Sequence, residues 1–304
     1  MKTLQALINR NRKLFFRDRG MLFSSLITPV ILIVLYATFL AKVYKDSFTS
    51  YLPKILHVSE KLIDGAVASQ LGAALLAVSC VTVTFCVNLT MVQDKASGAR
   101  KDFDVSPVKR PVLYLGYFCA TVLNSLMVNV LALVLCLFYI GKMGWYLSAT
   151  DLAWMVLDVL LLVLFGAVLS SIICYPLKTQ GQMSAVGTIV SAGYGFICGA
   201  YMPISSFGSG LKKFLSFLPG TYGTSLLRNH ALRGSFEQMT KDGFPESIIT
   251  EIKKSVDCSI EFYGKTVQTG TMYLILIFSI ILLIGIYCGF NIIAGKKTVK
   301  KGKC

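Results

Sequence analysis

QDKASGARKDFDVSPVKR, residues 93–110, stands between two runs, 71–92 and 112–140, that contain no charged residue. Asp94, Lys95, Arg100, Lys101, Asp102, Asp104, Lys109 and Arg110 place eight charges in seventeen positions. A segment this charged, set between two runs long enough to cross a bilayer, lies in water, because hydrocarbon leaves charges and irregular backbone unsatisfied. Gly98 suits a tight turn, 99–105 has room for one or two helical turns, and Pro107 followed by Pro111 stops a helix before the chain returns to the membrane. Phe103 is the loop's one aromatic residue. On a short charged helix it reads as a knob for a groove on another protein.

Composition agrees with that reading. The chain has 304 residues, 55% of them hydrophobic and only 15% charged, and a mean hydropathy of +0.66, which is too apolar for a soluble domain. Six segments are long enough to span: 21–41, 71–92, 112–140, 152–175, 183–201 and 271–294, against about 20 residues required. The predicted fold is an all-α integral membrane protein with its six-span domain at 21–294. With both termini in the cytoplasm, 17 Lys and Arg fall inside and 5 on the short outer loops 42–64 and 141–151. The rest lie in the long segment 202–270, whose charges weigh little in topology. The basic tail 295–304 fixes the C-terminus inside. A net charge of +15 is therefore sorted by membrane side, and it gives no continuous face for nucleic acid.

Seven of the nine cysteines fall in or beside spans and read as small apolar residues, so no disulfide framework is implied. No Cys/His metal spacing occurs, and the two histidines, His57 and His230, both fall in outer segments.

Residues 93–111 resemble the coupling segment of type-2 ABC export permeases, in which an acidic residue is followed by Gly, an apolar residue and Pro-x-x-Arg. Here those positions are Asp94, Gly98, Phe103, Pro107 and Arg110, and Leu115-Gly116 matches the start of the family's third span. The family usually has Glu where Asp94 stands, a second acid at Ala96 and Lys at Tyr117. The resemblance implies cytoplasmic ABC ATPase subunits that dock on this loop and carry the ATP and Mg, and a second permease copy or paralogue. A basic loop containing Gly and Pro is also the ordinary cytoplasmic connector between two spans.

Residues 1–20 place Leu4, Leu7, Ile8, Leu14 and Phe15 at near-helical spacing among six cations. This predicts an amphipathic interfacial helix on membrane lipid, or a merely topogenic basic leader. In the family such a helix also touches the ATPase. Pro29 interrupts the first span. Asn88, Asn124 and Asn129 are read as interhelical hydrogen-bonding groups or contacts along a translocation path. Asp158, the single acid inside a span, is placed near enough the outer end of its helix to reach the interface.

The segment 202–270 opens with PISSFGSGLKKFLSFL (203–218) and PGTYGTSLLRNHALRG (219–234), two helix patterns too short to cross. They predict a re-entrant hairpin between spans five and six, its second helix ended by Gly234. Pro203, Pro219, Tyr222, Arg228 and Gly234 again resemble the type-2 ABC pattern after its fifth span, with Leu218 in place of the family's Asn. A small outer cap follows, with Ile248, Ile249, Ile252 and Val256 on one helix face.

The chain contains no phosphate-cradling Gly-x-x-x-x-Gly-Lys-Ser/Thr loop, so an ATP-driven pump needs its ATPase in another chain. The resulting expectation is a non-enzymatic permease of the plasma membrane that exports a drug, peptide or lipid-like amphipathic cargo. A secondary carrier would need several intramembrane ionisable groups, and a six-span channel would need a pore helix before its filter.

Overall fold

The computed structural model describes residues 2–50 and 59–301. Twelve α-helices are present among these residues. In chain order they are α1 (Lys2–Arg17), α2 (Arg19–Leu35), α3 (Ala41–Ser50), α4 (Glu60–Ala96), α5 (Ala99–Val105), α6 (Arg110–Met143), α7 (Ala149–Cys174), α8 (Gln180–Ile197), α9 (Ser209–Leu215), α10 (Pro219–Lys241), α11 (Glu246–Ser255) and α12 (Thr269–Lys301). A two-stranded hairpin, β1 (Glu261–Phe262) with β2 (Lys265–Thr266), precedes α12.

Among the described residues five helical stretches are long and apolar enough to cross a membrane: Arg19–Asp46, Glu60–Ala96, Arg110–Met143, Ala149–Cys174 and Thr269–Ile292. The expected span 183–201 corresponds to α8, which is helical for 18 residues, about 27 Å at 1.5 Å per residue. Its Gln180, Gln182, Ser184, Thr188 and Ser191 dilute the apolar character that marks the other five.

The connector expected at 42–64 is largely helical. A π turn over Tyr36–Leu40 carries α2 into α3, which runs to Ser50, and α4 starts at Glu60. The helix continues beyond the charge-free run because Leu62, Ile63, Ala66 and Val67 give it a buried face. Residues 51–58, which include His57, lie outside the described residues, as do 302–304 of the basic tail. Asp18 caps α2 by accepting from the Met21 amide at 3.1 Å, which divides α1 from the first span.

The core is arranged around α4, buried along nearly its whole length and packed against α2, α6, α7, α8 and α10. Helix α10 is the second inner element. The sequence pattern ended it at Gly234, but it runs on to Lys241. Gly234 lies inside it because a Cβ there would meet the Tyr146 carbonyl oxygen at 1.7 Å. The residue serves the close approach of α10 to the α6–α7 turn. In the cap, α11 buries Ile249 and Ile252 as its spacing predicted.

Candidate functional site: two arginine–carboxylate joints

At the α5 end, Gly98 takes φ 86°, a left-handed turn that frees α5 from the axis of α4. Ser106 then ends α5, donating to the Phe103 carbonyl at 2.8 Å, and Pro111 sits in the first turn of α6 just after Arg110. The sequence reading leaves Asp94 in the aqueous loop, but the structure turns it inward. Arg10 of α1 grips it with two hydrogen bonds, Nη1 to Oδ2 at 2.6 Å and Nη2 to Oδ1 at 2.8 Å. The Tyr117 hydroxyl of α6 donates to Oδ2 as well. Its carboxylate thus joins α1, α4 and α6, and the hydrogen bond raises the Arg10 guanidinium above its ordinary pKa. Next to it Lys95 donates to the carbonyls of Tyr175 (2.6 Å) and Leu177 (3.1 Å), satisfying the C-terminal end of α7.

Phe103 has a partner within the chain as well. Its ring lies under the Arg10 guanidinium, 5.0 Å from centroid to Cζ, and is half-buried against the core. The apolar side chain that α5 leaves in water is Val105, 88% exposed. Pro107 is exposed and Arg110 partly covered.

At the α11 end, Pro203 precedes a single 3₁₀ turn, Pro219 opens α10, and the buried Tyr222 donates to the Ser216 carbonyl at 2.6 Å. Arg228 is wholly buried. Nη1 meets Asp257 Oδ2 at 3.1 Å while Nη2 donates to the Gly199 carbonyl. Asp257 in turn accepts from the amides of Ile204 and Ser205, and its own backbone is left-handed at φ 53°. One ion pair therefore ties the end of α8, the Pro203 turn, α10 and the α11 terminus together. Sequence reasoning missed Asp257. The available signal was Arg228, since a cation on a buried helix needs a carboxylate.

A third cluster lies between α7, α10 and α12. His230 Nδ1 and Asp158 Oδ2 are 2.6 Å apart, the Tyr273 hydroxyl donates to Oδ1, and Trp154 stacks on the imidazole at 5.6 Å. Asp158 and His230 are both buried, and the pair joins α7 to α10. Asn88 donates to Ser170 (3.2 Å) and Ser171 (3.0 Å), so it bonds α4 to α7. Asn129 returns to the Ser125 carbonyl of its own helix. Asn124 is fully buried with neither amide atom bonded to protein.

A groove of about 640 Å³ runs between α2, α4 and α8, with Ser24, Gln93, Ser184 and Thr188 among its polar lining. The α8 wall of this groove exposes Ser184, Thr188 and Ala192, with Ala185 exposed next to them.

A family model described as ABC-2 type transporter matches residues 2–231, well over half of the chain, and takes in α1, the α5 joint and Arg228. Neither the curated proteins nor the solved structures gave a match. The chain belongs to the ABC-2 type transporter family, as the membrane-spanning permease component of an ABC transporter.

Proposed function

We propose that this permease is one half of an ATP-driven exporter that moves an amphipathic drug, peptide or lipid-like compound outward across the plasma membrane. ATP and Mg are held by separate cytoplasmic ATPase subunits that dock on α5. The supporting observation is the α5 joint. A seven-residue helix exposes Val105, and it is linked to the central helix α4 through Ser97 and Gly98 and to α1 through the Phe103 ring beneath Arg10, which in turn grips Asp94 of α4. A push on α5 therefore reaches the helix that contacts most of the bundle. In this reading α1 lies at the cytoplasmic membrane surface, both termini are inside, and α9 with the first half of α10 forms the re-entrant hairpin. A second permease packs on the small, exposed face of α8, because small residues let helices approach closely in lipid. The mixed polar and apolar groove along that face would then lie at the boundary between the two permeases, where it suits an amphipathic cargo.

The test is reconstitution in vesicles with the partner ATPase. Transport of an amphipathic dye should require ATP and both chains, and the lone permease should hydrolyse none. The Asp158–His230 pair favours a second reading, a proton-driven carrier. Dye movement by the lone chain down an imposed proton gradient would establish that reading instead.

A further inference from the structure

The fold leaves a cleft that the coupling path and the α8 groove do not use. Helices α2 and α6 bound its sides and α4 its floor, giving a groove of about 520 Å³, within the usual range for small-molecule sites. No charged residue lines it. The floor carries Gly72, Leu75 and Ser79, and the Ser79 hydroxyl is buried without a protein partner. The walls are Val30 and Ile33 on one side and Leu131 and Leu135 on the other, all exposed. The cleft therefore opens sideways, toward the surface that five membrane-spanning helices place in lipid.

Both ends are closed by named contacts. At one end Leu26 and Val128 pack with Phe15 of α1, which is fully buried. At the other the rings of Tyr36 and Tyr139 meet edge to face at 6.3 Å. The stripe Leu131, Leu135, Tyr139 and Lys142 follows one face of α6 toward its C-terminus, where Lys142 is exposed and holds its ammonium 4.7 Å from the Phe138 ring centroid. Apolar walls, then two phenols, then a cation reproduce the order of chain, glycerol ester and phosphate in a phospholipid.

We propose that this groove binds one acyl chain of a phospholipid from the leaflet at the C-terminal end of α6, with the headgroup phosphate at Lys142. The purified chain would be placed in phosphatidylcholine vesicles containing phosphatidylcholine with a diazirine in its acyl chain, irradiated, and mapped by mass spectrometry. Labels should concentrate on peptides carrying Leu75, Ser79 and Leu131–Leu135 over the exposed Phe278 and Leu282 of α12. Ala132→Phe, which fills the cleft, should cut groove labelling about tenfold, the loss of some two buried methylene contacts, while α12 labelling stays unchanged. Lys142→Gln should lower it less. Labels spread evenly over groove and α12 in the parent protein would overturn the proposal without any variant. Groove labelling that survives Ala132→Phe, or protein–protein cross-links across the cleft in place of lipid, would overturn it as well.

Discussion

Arg10 keeps 32% of its side chain in water while gripping an Asp94 that is 7% exposed, whereas Arg228 and Asp257 are 1% and 6% exposed. At the α5 joint every contact to the carboxylate comes from a side chain of another helix. At the α11 joint the carboxylate also takes two backbone amides, and the guanidinium binds a backbone carbonyl. A buried pair that also satisfies backbone groups is part of the architecture, because opening it strands charges and peptide groups together. A half-wet pair between separate helices can open at modest cost, since water replaces the lost partner on the arginine. The first is suited to holding helix ends in fixed relation, the second to relaying movement.

The largest effect should follow loss of the Asp257 carboxylate. Asp257→Ala leaves Arg228 buried and unpaired, a loss of about 3–5 kcal/mol, and puts Ala at a left-handed backbone position. Thermal unfolding of the detergent-solubilised protein should show it plainly. Asp257→Asn should cost less, because Asn tolerates that backbone and keeps one acceptor. Cys258 gives a second reading of the same joint. Burial pushes its thiol up to about 12, so it should resist maleimide in the parent protein at neutral pH and become reactive in Asp257→Ala.

A smaller effect is expected at Asp94. Asp94→Ala should cost about 1–3 kcal/mol and Tyr117→Phe about 1 kcal/mol. The sharper measurement is trypsin cleavage within α1, which should quicken when Arg10 loses its partner. If Asp94→Ala lowers thermal stability as much as Asp257→Ala does, the two joints are alike and the contrast between weld and relay fails.

Much of the helical layout was legible because charge-free runs and Gly/Pro punctuation are local signals. They placed α5, α6, α7 and α11 to within a few residues and the start of α12 likewise, and both resemblance motifs fall at the joints. The structure shows that three features were hidden for physical reasons. Asp94 sits in a charged loop yet faces inward, because its partner Arg10 is 84 residues away and no periodicity announces such a pairing. Asp158 and His230, 72 residues apart on different helices, give no local sign of their pairing, and the full length of α10 was hidden by the apparent stop at Gly234. That glycine carries the signature of a helix end, but the requirement here comes from Tyr146 on a neighbouring turn. Helix α8 was expected as the apolar span 183–201, but its polar and small residues leave it less apolar than the five helices that are long and apolar enough to cross.

The smallest effect on stability, and the one most informative about coupling, separates Val105 from Phe103. Both are apolar residues of α5, so a docking ATPase could use either. Only Val105 is free to be covered by a partner, while the Phe103 ring already lies beneath Arg10. Val105→Ala removes little from the isolated permease, and its unfolding should shift by less than about 0.5 kcal/mol. Complete burial of that side chain in an ATPase groove would be worth roughly 1.5–3 kcal/mol, so Val105→Asp should weaken ATPase association about tenfold or more. Phe103→Ala should behave the other way, loosening α1 through the lost cation–π contact of about 0.5–1 kcal/mol and changing ATPase affinity less. Association measured by titrating the ATPase onto the reconstituted permease decides between them. Stronger loss of binding in Phe103→Ala than in Val105→Asp would mean that α5 turns its other face outward when the ATPase docks, and that the Arg10–Phe103 contact opens in the complex.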